Sequence, residues 1–316
     1  VGLYLLRRLG LAVLISLGVS ILVFGELHLV PGGEARAVLG LKAKPYQIRH
    51  FDKVMGLDQP IFVQYWDWLL RILHGNLGYS YQLNASVDSL IARALPKTVL
   101  LLGLATILTY LIGIPLGILQ AVKRSSRLDH LITGASFTFY SVPSFWFAVL
   151  LILWFSVDLH VLPSEAPQGN LLQIITHPVG LILPVVCIAL LGFAGLSRYM
   201  RSSAIESLGQ DYIRFARAKG ASEKLVLFRH MLRNSLIPII TLFGFTLPGL
   251  IGGSVIIEEI FNYPGMGLLY YNAITSEDYP VILGLHLLAG FAVVVGNLVA
   301  DLLYLLVDPR IKYTSD

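Results

Sequence analysis

Six apolar stretches dominate the chain, at Leu9–Val30, Val99–Val122, Leu131–Val157, Val179–Leu196, Leu236–Ile257 and Val281–Val307. A helix of about 20 apolar residues covers the hydrocarbon core of a bilayer, so each stretch reads as a membrane span. Of the 316 residues, 56% are hydrophobic and 13% charged, about half the charged share of a soluble domain. Such a chain cannot wet its own surface and must meet lipid. The expected fold is an all-α polytopic membrane protein with six transmembrane helices.

The fourth stretch is the shortest and contains Pro184. Proline also interrupts the second (Pro115), third (Pro143) and fifth (Pro238 and Pro248). Bundled membrane helices tolerate this when neighbours re-satisfy the freed carbonyls. Gly113 and Gly117 form a small-xxx-small face suited to close helix packing. Arg7 and Arg8 before an apolar run, with Ala35-Arg36-Ala37 beyond it, resemble a cleaved signal, but the run exceeds the usual h-region of about 7–15 residues. It reads as an uncleaved first span. A single cysteine, Cys187, rules out an intramolecular disulfide framework. The basic residues sit in short clusters beside apolar runs, which is no nucleic-acid signature.

Lysine and arginine set the orientation. Segments 158–178 and 258–280 contain neither, whereas Arg7 and Arg8, then Lys123, Arg124 and Arg127, then eight basic residues between Arg198 and Arg233, and finally Arg310 and Lys312 mark the alternate side. Both termini and the 197–235 loop are therefore expected in the cytoplasm. The long outer segment has structure of its own: Asp58-Gln59-Pro60 looks like a helix start, followed by Phe62, Tyr65, Trp66, Leu69 and Leu73 at helical spacing. This helix either lies at the membrane interface, which suits Trp66 and Trp68, or caps the protein toward a partner.

The inner loop reads as helix, glycine, helix. Leu208, Tyr212, Phe215 and Ala216 fall on one face, Gly220 ends the first helix in the left-handed conformation open to glycine, and Ser222 caps the second with Glu223 in its first turn. Leu225, Phe228 and Leu232 form the second apolar side, with Lys224, Arg229 and Arg233 around it. An apolar face turned to the cytoplasm needs a cover from the bundle, from lipid headgroups or from another protein.

The run DYIRFARAKG from Asp211 to Gly220, continuing to Pro238, resembles the cytoplasmic loop of binding-protein-dependent ABC importer permeases, whose motif has the form EAA-x3-G-x9-I-x-L-P. The EAA positions fall on Arg214, Phe215 and Ala216, the glycine on Gly220, and the I-x-L-P positions on His230, Met231, Leu232 and Arg233. Only Ala216, Gly220 and Leu232 keep the generic letters, but RFARAKG and RHMLRNSLIP resemble the dipeptide and oligopeptide (nickel) branch. So do LYLLRRL, MGLDQPIFVQYWDWL, HGNLGYS, LPKTVLL, YSVPSFW, EEIFNYPGMGLL and DLLYLLVDPRIK, which together span nearly the whole chain.

The resemblance implies a type I ABC importer permease fold and the first (B-type) of two permease subunits. It divides the chain into an N-terminal span at 1–30, an extracytoplasmic segment at 31–95 and a permease core at 96–310, with a coupling loop at 201–235. The implied partners are a second permease subunit, two ATPase subunits and an extracytoplasmic substrate-binding protein, within the cytoplasmic or inner membrane of a bacterium or archaeon. Peptides are the solute it implies first; relatives for nickel chelates, glutathione and sugars remain alternatives. ATP and Mg would be used by the ATPase subunits. The chain itself lacks a P-loop and binds no cofactor of its own. By the same resemblance the ATPase contact falls on Asp211, Tyr212, Arg214, Phe215, Ala216, Arg217, Lys219, Gly220, Ser222, Arg229, His230, Leu232 and Arg233.

Four residues are translocation-path candidates. Asp301 lies inside the sixth span with Asn297 one turn away, and an intramembrane carboxylate is a functional candidate by default, although a helix-to-helix hydrogen bond accounts for it equally well. Glu258 and Glu259, with Glu277 and Asp278, would make the outer mouth acidic. Glu26 and His28 either meet a passing solute or face headgroups, and His286 reads as a bundle residue. A proton-driven secondary transporter would show intramembrane ionisable pairs and internal repeats; Asp301 is one candidate and no repeat is evident. Neither HExxH nor GxSxG is present to suggest an enzyme.

Overall fold

Prolines, glycines and helix caps cut the apolar stretches into elements whose bounds differ from the expected spans, most of all in the third, fourth and fifth. A computed structural model describes residues 2–29, 33–40 and 43–307. Helices α1 (Gly2–Leu29), α2 (Gly33–Leu39), α3 (Pro45–Met55) and α4 (Ile61–Leu73) precede a two-residue antiparallel hairpin, Tyr79–Ser80 with Ala85–Ser86. Then come α5 (Val87–Val122), α6 (Arg127–Ser141) and α7 (Ser144–Leu151), the last running into a π-helical turn at Ile152–Asp158. Five described helices are long and apolar enough to cross a membrane, or six if a bent pair counts as one span.

That pair is the expected third span. It is not one straight helix: Arg127–Ser141 and Ser144–Asp158 meet at 103°. The cause is Val142-Pro143. A residue before proline is pushed out of the helical region, and Val142 is extended at φ −79°, ψ 127°.

The short α8 (Leu171–Thr176) and a 3-10 turn at Pro178–Leu181 lead into α9 (Ile182–Leu208), which runs twelve residues beyond the expected end at Leu196. After α10 (Asp211–Ala218), the helix that starts at α11 (Glu223–Leu225) continues through a π-helical turn, Val226–Met231, into α12 (Leu232–Gly252). The second helix of the inner loop and the fifth span are thus one element, not two. That span also stops short of Ile257, because Gly253 at φ +79° turns the chain and Ile257 belongs to the separate α13 (Val255–Ile260). Helices α14 (Met266–Thr275) and α15 (Tyr279–Val307) complete the fold.

The chain forms two compact units: Val1–Val99, Gly169–Leu171 and Pro248–Leu298 in the first; Leu100–Gln168, Leu172–Leu247 and Val299–Asp316 in the second. The first has a core of Val87, Ile91, Ala94, Met266, Ala273, Val281 and Leu285. In it α4 packs on α1 through Tyr65 and Trp68, whose rings lie 5.3 and 5.5 Å from that of Phe24, and the Tyr65 hydroxyl meets Ser20 Oγ at 2.7 Å. The inward face of α4 is therefore Tyr65, Trp68 and Leu69; Phe62, Trp66 and Leu73, expected on the same face, are exposed.

The second unit is built on Leu196, Met200, Ala204, Ile213, Val226, Met231 and Ile239. Gly113 and Gly117 do serve close packing there. A Cβ on Gly117 would lie 2.6 Å from both the Ser197 carbonyl and Met200 Cβ, and one on Gly113 2.9 Å from Leu196.

Candidate functional site

The inner loop is a braced elbow. Gln210 is extended, which separates α9 from α10, and α10 closes on Gly220 at φ +79°. Two bonds seal that end: Gly220 N–H donates to Arg217 O (2.9 Å) and Ala221 N–H to Ala216 O (3.1 Å). This is the paired arrangement that terminates a helix on a left-handed glycine. Ser222 Oγ then accepts from Leu225 N–H at 3.4 Å and starts the next helix, as its N-cap position requires. Across the bend the Arg217 guanidinium grips Glu223 with two bonds, 2.8 and 3.2 Å long.

Ile213, Val226 and Met231 anchor the elbow in the core, all fully buried. The sequence pattern selected other faces. Tyr212 is turned so that its hydroxyl meets Ser207 Oγ at 2.5 Å, while Phe215 is 68% exposed and Phe228 70%. Helix α10 has one side against its own unit and a different apolar side left open. Ala216, His230 and Leu232 are half-buried; Asp211, Arg214, Lys219, Arg229 and Arg233 are exposed. Asp211 and Arg214 make a loose surface pair at 3.4 Å, worth at most about 1 kcal/mol.

Several braces carry no motif. Ser203 Oγ donates to Ser235 O (3.0 Å) while Ser235 Oγ reaches both Ser203 O (3.3 Å) and Met231 O (3.0 Å), tying α9 to α12. Arg201 holds Asp129 through two bonds of 2.9 and 2.8 Å, and Ser125 N–H adds a third at 3.0 Å. The serine-x-x-aspartate spacing at Ser126–Asp129 signals a helix start, and Ser126 Oγ does accept from Asp129 N–H. Nothing local in sequence names Arg201, 72 residues away, as the ion partner.

The path candidates scatter. Glu258, expected at an acidic mouth, is fully buried. Its carboxylate accepts from Thr98 Oγ1 (3.0 Å) and from the N–H groups of Gly267 (2.7 Å), Leu268 (3.2 Å) and Ser254 (3.4 Å), so it organises the α13–α14 turn instead of facing a solute. Burial pushes its carboxyl above the ordinary range against the pull of those bonds. Asp278 is buried too and takes the Ser80 hydroxyl. Glu259 is half-buried and Glu277 exposed, which leaves the mouth less acidic than expected. Asn297 is exposed; the side chain of Asp301, and Arg310 and Lys312 entirely, lie outside the described residues. Among the described residues no three His, Cys, Asp or Glu side chains converge to hold a metal ion.

Comparison with known proteins agrees with this architecture. Residues 113–313 match the family described as binding-protein-dependent transport system inner membrane component, and residues 2–102 match the N-terminal region of such membrane components. Among curated proteins, the oligopeptide transport system permease protein AppB of Bacillus subtilis is 42% identical, the match covering 98% of this chain and 99% of AppB. The dipeptide transport system permease protein DppB of Escherichia coli is 33% identical, with 98% of each chain covered. A chain of the MetNI methionine ABC transporter, solved in inward-facing conformations, shares the fold with a TM-score of 0.54 at 19% identity, covering 69% of this chain and 96% of its own. By sequence along almost its whole length, and by fold, the chain belongs to the family of binding-protein-dependent transport system inner membrane components.

Proposed function

We propose that this chain is the first of two permease subunits in an ATP-driven importer of peptides, and that the 201–235 loop couples it to an ATPase subunit. The names of the AppB and DppB relatives support peptides as the solute class. In this reading the chain catalyses nothing itself: two ATPase subunits use ATP and Mg, and a substrate-binding protein delivers solute on the extracytoplasmic side. Both termini and the elbow face the cytoplasm, while residues 31–95 lie outside and 96–310 form the permease core. Closure of the ATPase pair pushes the elbow and rocks the helices between inward- and outward-open states.

The observation that carries this reading is the exposure of Phe215 and Phe228 on the two arms of an otherwise cross-braced elbow. Large apolar side chains held open beside basic residues suit insertion into a partner's groove, where buried aromatics supply most of an interface's binding energy. Replacing both with serine should release the ATPase subunit from the purified complex, by about 2 kcal/mol or more per buried aromatic anchor, while the two permease subunits still co-purify. Undiminished ATPase retention and uptake in Phe215→Ser/Phe228→Ser would remove the elbow from the ATPase contact.

A further inference from the structure

Glu26 sits in the first span yet is held by a relay that leaves one of its oxygens open. Glu26 Oε2 lies 2.7 Å from His286 Nδ1, and His286 Nε2 lies 2.9 Å from the Tyr270 hydroxyl. The three residues come from α1, α15 and α14 of the same unit. The imidazole protonated on Nδ1 satisfies both contacts: Nδ1–H donates to the carboxylate, and the Tyr270 hydroxyl donates to Nε2. The second oxygen of Glu26 has no protein donor among the described residues and stays open to a ligand. The helices that carry the pair are in close register, since Val19 occupies the space that a Cβ on Gly290 would need. His28, two residues on, is not part of the arrangement; its ring nitrogens meet Phe24 O (3.0 Å) and Gln64 Oε1 (3.2 Å).

The Glu26 side chain is 48% exposed and that of His286 34%. A carboxylate facing acyl chains is strongly disfavoured, which is why ionisable groups in spans turn to protein or to water-filled paths. We propose that Glu26, positioned by His286 and Tyr270, receives the ammonium group of the solute as it passes; this rests on the peptide-importer reading. An α-amino group, with an ordinary pKa near 7.7–8.0, is largely protonated at neutral pH, and a lysyl side chain offers the same chemistry. One half-exposed carboxylate oxygen gives a contact strong enough to attract a cation and weak enough to let it leave, as passage requires.

The test uses the complete transporter in vesicles with its binding protein, comparing wild type with Glu26→Gln and Glu26→Asp. Uptake is measured for Ala-Ala-Ala, N-acetyl-Ala-Ala-Ala and N-acetyl-Ala-Lys-Ala. Each rate is divided by the wild-type rate on the same peptide, which cancels the preference of the unaltered binding protein. The ratio of Ala-Lys-Ala to Ala-Leu-Ala reads the lysyl contribution alone, without acetylation. Loss of one charge-assisted hydrogen bond predicts that Glu26→Gln lowers uptake of ammonium-bearing peptides about tenfold relative to N-acetyl-Ala-Ala-Ala, and that Glu26→Asp recovers part of the difference. A fall for Ala-Ala-Ala alone assigns the contact to the α-ammonium; a fall for N-acetyl-Ala-Lys-Ala as well extends it to lysine. An equal change for all peptides, or loss of the second permease subunit from the Glu26→Gln complex, overturns the proposal in favour of a packing or interface role. If wild type takes up none of these peptides, the peptide-importer reading fails and takes this one with it.

Discussion

Replacing Gly220 separates the shape of the elbow from its chemistry. Its φ of +79° lies in the region that side chains avoid, but a Cβ there would meet nothing within 4 Å. Gly220→Ala therefore carries a torsional cost alone, about 1–2 kcal/mol for a left-handed residue; Gly220→Asn, which tolerates that conformation better, should cost less. Gly220→Pro is different in kind. It fixes φ near −65° and deletes the N–H that donates to Arg217 O, so the end of α10 cannot persist and the Arg217–Glu223 clasp loses its geometry. A coupling signal between sites typically carries about 1–3 kcal/mol, comparable to the strain in the alanine variant. In vesicles containing the complete transporter, the ATP hydrolysed per peptide imported should rise a few-fold for Gly220→Ala, less for Gly220→Asn, and without limit for Gly220→Pro, whose ATPase continues as import stops. Normal import by Gly220→Pro, or equal damage from alanine and proline, would refute the argument that a left-handed hinge transmits the stroke.

Two further perturbations address the frame that holds the elbow. Asp129→Asn removes a carboxylate that is only 3% exposed and leaves Arg201, one-third exposed, without its ion partner; a loss of about 3 kcal/mol is expected, the low end for breaking a buried pair, read as earlier labelling of the buried Cys187 by a thiol dye on heating. Gly117→Ala forces a methyl against the Ser197 carbonyl and Met200 and should cost about 1–3 kcal/mol by overpacking, where Gly103→Ala, which meets nothing within 4 Å, should be silent in the same assay.

The long apolar runs were legible because hydrophobic length is a local property, and so were the two caps at Gly220 and Ser222, each of which depends on a single residue type. Pro143 was visible as an interruption but not as a 103° bend, since the angle depends on what the two halves pack against. Faces were the hardest to read. The spacing of Tyr212, Phe215, Leu225 and Phe228 is helical, yet the core takes Ile213, Val226 and Met231, because α10 and its neighbour each carry two apolar sides and periodicity cannot say which meets the fold. Glu258 illustrates the opposite limit. As a letter it is a charge at a mouth; only the fold supplies the three backbone N–H groups and one hydroxyl that make it internal.

The continuity of the helix from Glu223 to Gly252 changes what the elbow can do. If its second arm were a separate short helix, a push on Phe228 would be absorbed at the join with the fifth span. As one element of 30 residues it would be about 45 Å long at 1.5 Å per residue, and a push on Phe228 would act on a helix continuous with the fifth span and not on a separate segment. Its soft place is the π-helical turn at Val226–Met231, a geometry that weakens the regular ladder and recurs at functional sites. That turn is also where the braces gather. The Met231 carbonyl takes Ser235 Oγ at 3.0 Å and Ser207 Oγ at 3.4 Å, and Ser207 in turn meets Tyr212 on α10. These bonds tie the π-helical turn to α9 and α10, so in the proposed coupling role a displacement of the elbow would be shared between α9 and the start of α12.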